Sequence, residues 1–174
     1  MEFRIEKASA DDYLLFADII QKVWEGMEEK SWFMADNADY TRRMLSTGMG
    51  IGYKAIETES GNTAGVFLAV IPGTDKSNLG RDAEMPDSLL PFIAHMDSAA
   101  VLPEYRGCGL QKRLMTAAEE DLKAMGMRYL MCTVHPDNRF SLNNVLRQGY
   151  KIVTVKEKYG GNIRAILQKE LTSM

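Results

Sequence analysis

Between His95 and Leu114 the chain passes from a strand-like run into a helical one through a turn holding two glycines and an arginine. No other stretch restricts the fold as much. Met96 to Leu102 are small and apolar, as a buried strand requires. Pro103 ends that run, because proline has no N–H for a sheet ladder. Arg106-Gly107-Cys108-Gly109 forms the turn, and Leu110, Leu114, Ala118, Leu122 and Met125 then recur at helical spacing. The first N–H groups of a helix have no partners inside it and carry the positive end of its dipole. Glycines let a ligand approach the backbone, and Arg106 adds a full charge. The turn is therefore suited to an anion such as phosphate or pyrophosphate, although an ordinary tight turn would use the same residues.

The flanking sequence predicts the remaining elements. Phe3 to Lys7 alternates as a short strand, and Ser9 to Asp12 forms a capping box before a helix with Phe16, Ile20 and Val23 on its apolar face. Trp32 and Phe33 fall on a loop. Asp36 or Asn37 caps a second helix, which Gly48 stops. Ile51–Glu57 and Ala64–Ile71 form a hairpin around Ser60-Gly61-Asn62, and 73–87 is a polar loop. After the helix that follows the turn, Tyr129–Val134 is apolar enough for a strand buried on both faces. Pro136-Asp137-Asn138 opens a further helix, ended by Gly149. Ile152–Val155 and Ile163–Leu171 form the last strands, around Tyr159-Gly160-Gly161. This order predicts an α/β fold of the α+β type: a mixed, mostly antiparallel sheet of about seven strands, about four helices and one βαβ unit at the turn. Residues 1–174 read as a single domain.

Composition excludes several classes. A formal net charge of −3 gives no general attraction to nucleic acid. No apolar run reaches the roughly 20 residues of a membrane span. The N-terminal residues lack the apolar core of a signal peptide, so a cytoplasmic location is expected, with Cys108 and Cys132 as reduced thiols. The two cysteines and two histidines have no zinc-site spacing, so no metal is expected.

Two phosphate-binding patterns are absent. No run matches the P-loop G-x-x-x-x-G-K-S/T. The Rossmann pattern G-x-G-x-x-G fails at Lys112, and no acid ends the next strand to hold a ribose. The segment P-E-Y-R-G-C-G-L-Q-K-R-L instead resembles the pyrophosphate-binding motif of the GNAT family of N-acetyltransferases, Q/R-x-x-G-x-G/A. Arg106, Gly109 and Gln111 occupy its defined positions, Gln111 replacing the usual small residue. Downstream, Asn138, Ser141, Gly149 and Tyr150 match the family pattern N-x-x-A/S-x-x-x-Y-x-x-x-G-F/Y. The order of elements is similar throughout.

The resemblance implies a GNAT acyl-CoA N-acyltransferase fold with a splayed central parallel strand pair, and acetyl-CoA as co-substrate in the gap. Backbone groups of Ala99 and Val101 would pair with the pantetheine arm. N–H groups of Gly107, Cys108, Gly109, Leu110 and Gln111, with Arg106, would hold the pyrophosphate. Asn138 and Ser141 would face the arm from the far side; a plain helix cap is the other reading of Asn138. Transfer would run directly to an amine of a small molecule or peptide, and relatives are often homodimers. Nucleic acid and membrane are not expected partners.

Transfer needs a base to free the amine and a donor for the carbonyl oxygen, which the resemblance places at the N–H of Val101 or a neighbour. Asp97 and His95, two apart on one strand, are the base candidates, with Glu25 weaker. The family's usual tyrosine acid falls at Val145, which cannot donate; Asn144, Ser141 or Tyr159 are alternatives. Trp32 and Phe33 would wall the acceptor pocket. The missing tyrosine leaves a second reading open, a non-catalytic acyl-CoA-binding sensor or regulatory module. A domain binding another nucleotide is a third.

Overall fold

The computed structural model describes residues 1–172. Seven strands form one sheet: β1 (Phe3–Lys7), β2 (Gly50–Glu57), β3 (Thr63–Val70), β4 (Ile93–Val101), β5 (Tyr129–Val134), β6 (Lys151–Lys158) and β7 (Asn162–Glu170), in the spatial order β1-β2-β3-β4-β5-β7-β6. The β4–β5 pair alone is parallel, joined by the helix α4 (Leu110–Ala124). The helices α1 (Tyr13–Glu25) and α2 (Ala38–Thr47) precede β2, the one-turn α3 (Leu79–Asp82) lies between β3 and β4, and α5 (Arg139–Arg147) follows β5. The polar loop expected over 73–87 thus contains a short helix, organised by the buried Asn78. Its side chain accepts the N–H of Gly80 at 2.8 Å and donates to the carbonyls of Gly73 and Leu90 at 2.7 and 3.1 Å.

Alternation along β3 divides the core. Phe67 faces α4 and packs in one cluster with Leu110, Leu114, Ala118 and Leu122. Val66 and Leu68 face the other way, against Phe16 and Ile20 of α1 and Met44 of α2. Both faces of the sheet are therefore covered at β3, which is why that strand reads as a nearly continuous apolar run. Each fully buried leucine of α4 contributes roughly 1.5–3 kcal/mol relative to exposure. Met125, expected on the same face, is 52% exposed, because the helix ends one residue earlier.

The positions of the functional groups follow from one irregularity. Opposite β3, Leu68 pairs with Ser98 while Ala69 pairs with Met96, so Asp97 is an extra residue in β4. Such a bulge bends its strand and sharpens its twist. β4 and β5 pair only over Ile93–His95 against Tyr129–Met131. Beyond His95 they separate, although β4 stays paired to β3 as far as Val101 and β5 to β7 as far as Val134. The expected splay is present and begins immediately before the bulge.

Candidate functional site

The turn after β4 is built as the sequence requires. A single 3-10 turn (Pro103–Tyr105) follows the strand, and Gly107 and Gly109 take φ values of 81° and 70°. A Cβ at either glycine would meet nothing within 4 Å, so the left-handed backbone, not crowding, demands glycine. Gly109 caps α4 and no side chain satisfies the first N–H groups of the helix. Those groups, with Arg106 and Lys112, line a cavity of about 840 Å³. The Cys108 side chain turns away and packs on the core.

That cavity continues along the open edge of β4. The N–H of Leu102 donates to Ala64 on β3 at 2.9 Å. Strand alternation then turns the backbone groups of Ala99 and Val101 toward the gap, where β5 no longer reaches them. Asn138, Phe140, Ser141 and Asn144 form the far wall. Asn138 is a helix cap, its Oδ1 accepting the N–H of Ser141 at 3.3 Å. Val145 is buried in the core at 4% exposure.

A second cleft of about 450 Å³ opens on the opposite side of the splay, and Trp32 and Phe33 line both cavities. Two ties hold the loop carrying these aromatics. Lys30 Nζ donates to the carbonyls of Trp24, Glu25 and Met27, closing the end of α1. Arg164 of β7, 3% exposed, donates to the carbonyls of Ser31 and Ile163 at 2.7 and 2.8 Å. Glu25 itself lies on the solvated face of α1, accepting from Gln21.

Asp97 lies in this second cleft. It reaches solvent through the cleft mouth, yet protein surrounds it on its other sides. Tyr40 of α2 donates its hydroxyl to Asp97 at 3.1 Å, and Ser98 donates to Asp36 at 2.5 Å. Burial and the neighbouring Asp36 carboxylate push Asp97 well above the usual carboxylate range. Burial raises Asp36 as well. The Tyr40 hydroxyl is driven far above its normal range by burial and the charge of Asp97. His95 shares the cleft, but its Nε2 accepts the backbone N–H of Leu79 at 3.0 Å, and burial lowers it to about 4. Tyr159, at φ 50°, brings its hydroxyl within 3.4 Å of Thr133 Oγ1. Burial pushes the Cys132 thiol up to about 12.

The residues singled out from the sequence fall into two groups that meet at Trp32 and Phe33. Arg106 to Gln111, Ala99, Val101, Asn138 and Ser141 surround the first cavity, the Cys108 side chain excepted; Asp97, His95 and Tyr159 surround the second. The sequence offered Asp36 only as an alternative cap to Asn37. The structure gives the cap to Asn37, whose side chain accepts the N–H of Tyr40 at 2.8 Å, and leaves Asp36 to the cleft. Tyr40, Ser98 and Arg164 carried no local signal. Among the described residues there is no cluster of potential metal ligands, and no helix is long and apolar enough to cross a membrane.

Comparison with known proteins bears on the family and the fold. A family model described as the acetyltransferase (GNAT) family matches residues 24–150. The fold is similar to that of Arabidopsis thaliana NAA60 in complex with acetyl-CoA, with a TM-score of 0.76, 12% identity and 98% of this chain and 99% of that one covered. It is also similar to an N-acetyltransferase from Staphylococcus aureus Mu50, with a TM-score of 0.73, 16% identity and 99% and 100% covered. The nucleoside-triphosphatase THEP1 of Archaeoglobus fulgidus is 26% identical over 139 residues, 78% of this chain and 79% of that protein.

Proposed function

The chain belongs to the GNAT acetyltransferase family, and we propose that it moves the acetyl group of acetyl-CoA directly onto a primary amine of a small molecule or peptide. The observation that carries this reading is the adjacency of the two cavities, which share Trp32 and Phe33 as lining. A glycine turn whose helix N–H groups no side chain satisfies stands at one end, the open edge of β4 lies between, and Asp97, its pKa raised by burial and Asp36, stands at the other.

The chain's own groups fit a CoA thioester. The free N–H groups from Gly107 to Gln111, with Arg106, hold the pyrophosphate, Cys108 contributing its backbone alone. Ala99 and Val101 offer the unpaired polar groups that a strand partner would otherwise satisfy, and the pantetheine amides take that place. Asn138 and Ser141 face the arm from α5; with Oδ1 used in the cap, Asn138 offers its amide N–H groups. The N–H of Val101 donates to the thioester oxygen as negative charge develops there. Asp97 takes the proton that the acceptor must lose. His95 is less suited, since its Nε2 is already engaged. A CoA thiol resembles that of cysteine, with a pKa near 8.5, so the thiolate leaves without a strong acid. We assign its protonation to the Tyr159 hydroxyl, which lines the second cleft. Among the described residues the three apolar clusters all pack on one sheet, which supports reading the chain as one domain.

Thermal shift with acetyl-CoA, CoA and ATP tests the binding step. Ligand at about 100 times its dissociation constant adds roughly 2.7 kcal/mol. A shift with both CoA species is expected; no shift with either removes the reading. A shift with ATP alone would favour a nucleotide role like the one THEP1 is named for, against the missing P-loop run. Release of free thiol across an amine panel then tests transfer. Val145, buried where the family tyrosine would stand, favours the second reading, a non-catalytic acyl-CoA sensor. Binding with no transfer to any amine would establish it.

A further inference from the structure

Asp36 has no part in the transfer as described, yet it lies against the group that takes the proton. It comes from the loop before α2, and Asp97 comes from the bulge in β4. The two carboxyl groups share one hydroxyl neighbour, and each is pushed above the usual carboxylate range. Ser98 Oγ stands between them, 2.5 Å from Asp36 and 3.5 Å from Asp97. Among the described residues, no ion pair joins either carboxylate to a cation.

The other charged and titratable groups of the cleft are committed elsewhere. Lys158 pairs with Asp82 at 2.9 Å, Arg164 holds two backbone carbonyls, and His95 holds the N–H of Leu79. Arg43 lies over the ring of Tyr40 at 5.8 Å. Tyr40 and Ser98 are hydroxyls that steady a carboxylate without neutralising it. Tyr159 and Cys132 lie across the cleft and are neutral when protonated. Two carboxylates in contact with one hydroxyl, with no ion-pair partner for either among the described residues, cannot both ionise freely.

We infer that Asp36 acts through Asp97: the two carboxyl groups take up one proton as a unit, so that the base of the cleft is an aspartate pair and Asp36 is its positioning residue. The inference rests on the acetyl-transfer reading for its use, not for its existence. With both carboxylates ionised, the pair accepts one proton from the acceptor ammonium and shares it. The freed amine forms the C–N bond to the acetyl carbonyl, the C–S bond breaks, and its electron pair stays on sulfur. The remaining amine proton passes to that thiolate, and the pair returns its own proton to solvent. An ammonium and acetyl-CoA thus become an amide, free CoA and one proton.

The titration needs neither cofactor nor acceptor. Carbon-13 resonances of aspartate carboxyls are followed from pH 4 to 9 in the wild type, Asp36→Asn and Asp97→Asn. Asparagine keeps the size of the side chain and still accepts from Ser98. In the wild type both carboxyls should respond in two shared steps, one of them near neutrality. In Asp36→Asn the Asp97 midpoint should fall by at least one pH unit, and in Asp97→Asn the Asp36 midpoint should fall likewise. Should the variants fold poorly, the wild-type curves decide alone: two independent single-step titrations overturn the pair. An Asp97 midpoint unmoved by loss of Asp36 also overturns it. The acid limb of kcat/KM, measured with any amine that is acetylated, should move down with the Asp97 midpoint in Asp36→Asn; an unmoved limb overturns the positioning role. Absence of acetyl transfer beside a coupled titration would sink the acetyl-transfer reading and leave the pair standing.

Discussion

His95 Nε2 accepts the backbone N–H of Leu79 at 3.0 Å. That bond fastens the loop after β3 to the central strand, and it can exist only while the imidazole is neutral at that nitrogen. Burial holds the folded His95 at about 4, below its ordinary 6.5. The folded state therefore binds fewer protons than the unfolded one, and the contribution is full above pH 6.5 and lost as pH falls through about 4. At most, roughly 3 kcal/mol is involved. His95→Gln keeps an acceptor that does not titrate. The stability gap between wild type and His95→Gln, read from urea unfolding, should shrink or reverse between pH 6.5 and 4. A gap constant across that window would rule out the neutral, buried histidine.

At Gly109 the backbone and the ligand make opposite demands. Aspartate tolerates a left-handed φ better than most residues, and its charge favours a helix N-terminus. Gly109→Asp should therefore lose less stability than other substitutions at this φ, while its carboxylate repels a phosphate in the adjoining cavity. We expect CoA affinity to fall at least about tenfold, equal to about 1.4 kcal/mol. Gly109→Ala, whose Cβ meets nothing within 4 Å, should cost roughly 1–2 kcal/mol of stability through its φ of 70° and affect affinity less. Calorimetric titration of both variants separates the two effects. Equal affinities would remove the anion-binding role of the turn.

Arg164 ties Ser31 to β7 across 133 residues of sequence. Arg164→Met leaves the carbonyl of Ser31 without its charged donor, a loss of roughly 1.5–3 kcal/mol for that bond. The loop carrying Trp32 and Phe33 should then be freed. KM for the acceptor should rise roughly tenfold, with kcat changing less, since neither aromatic reaches Asp97 through a hydrogen bond. An unchanged KM would place the acceptor away from these aromatics.

What the sequence disclosed and what it concealed follows from the range of each signal. The strand, glycine turn and α4 were legible because each is written locally: a proline stop, two glycines at positive φ, and leucines at helical spacing. β6 extends past the expected Ile152–Val155 to Lys158, since Lys156-Glu157-Lys158 belongs to an edge strand that is mostly exposed and has no apolar pattern. The bulge at Asp97 has no residue signature, because it is a property of the register between β3 and β4. Asp36 was legible only as a cap alternative to Asn37; its bond to Ser98 spans 62 residues. Residues placed by one turn or one repeat could be read, and residues placed by long-range pairing could not.

The aspartate pair carries a cost in stability that runs opposite to that of His95. A carboxyl raised in the fold, here Asp97 at about 7 against an ordinary 3.8, binds more protons folded than unfolded. Its stabilising share is present below pH 3.8 and lost as pH rises through about 7. In the wild type this slope and that of His95 oppose each other over the same range, so the melting temperature should vary little between pH 4 and 7. Asp97→Asn removes one of the two slopes. Its melting temperature should exceed that of the wild type at pH 8.5 by more than at pH 5, while acetyl transfer falls. Asp36→Asn should show the same pattern more weakly, because the Asp36 charge is gone while burial still raises Asp97. A variant that lost activity without gaining stability at pH 8.5 would show that Asp97 is not a strained carboxylate held in place for proton transfer.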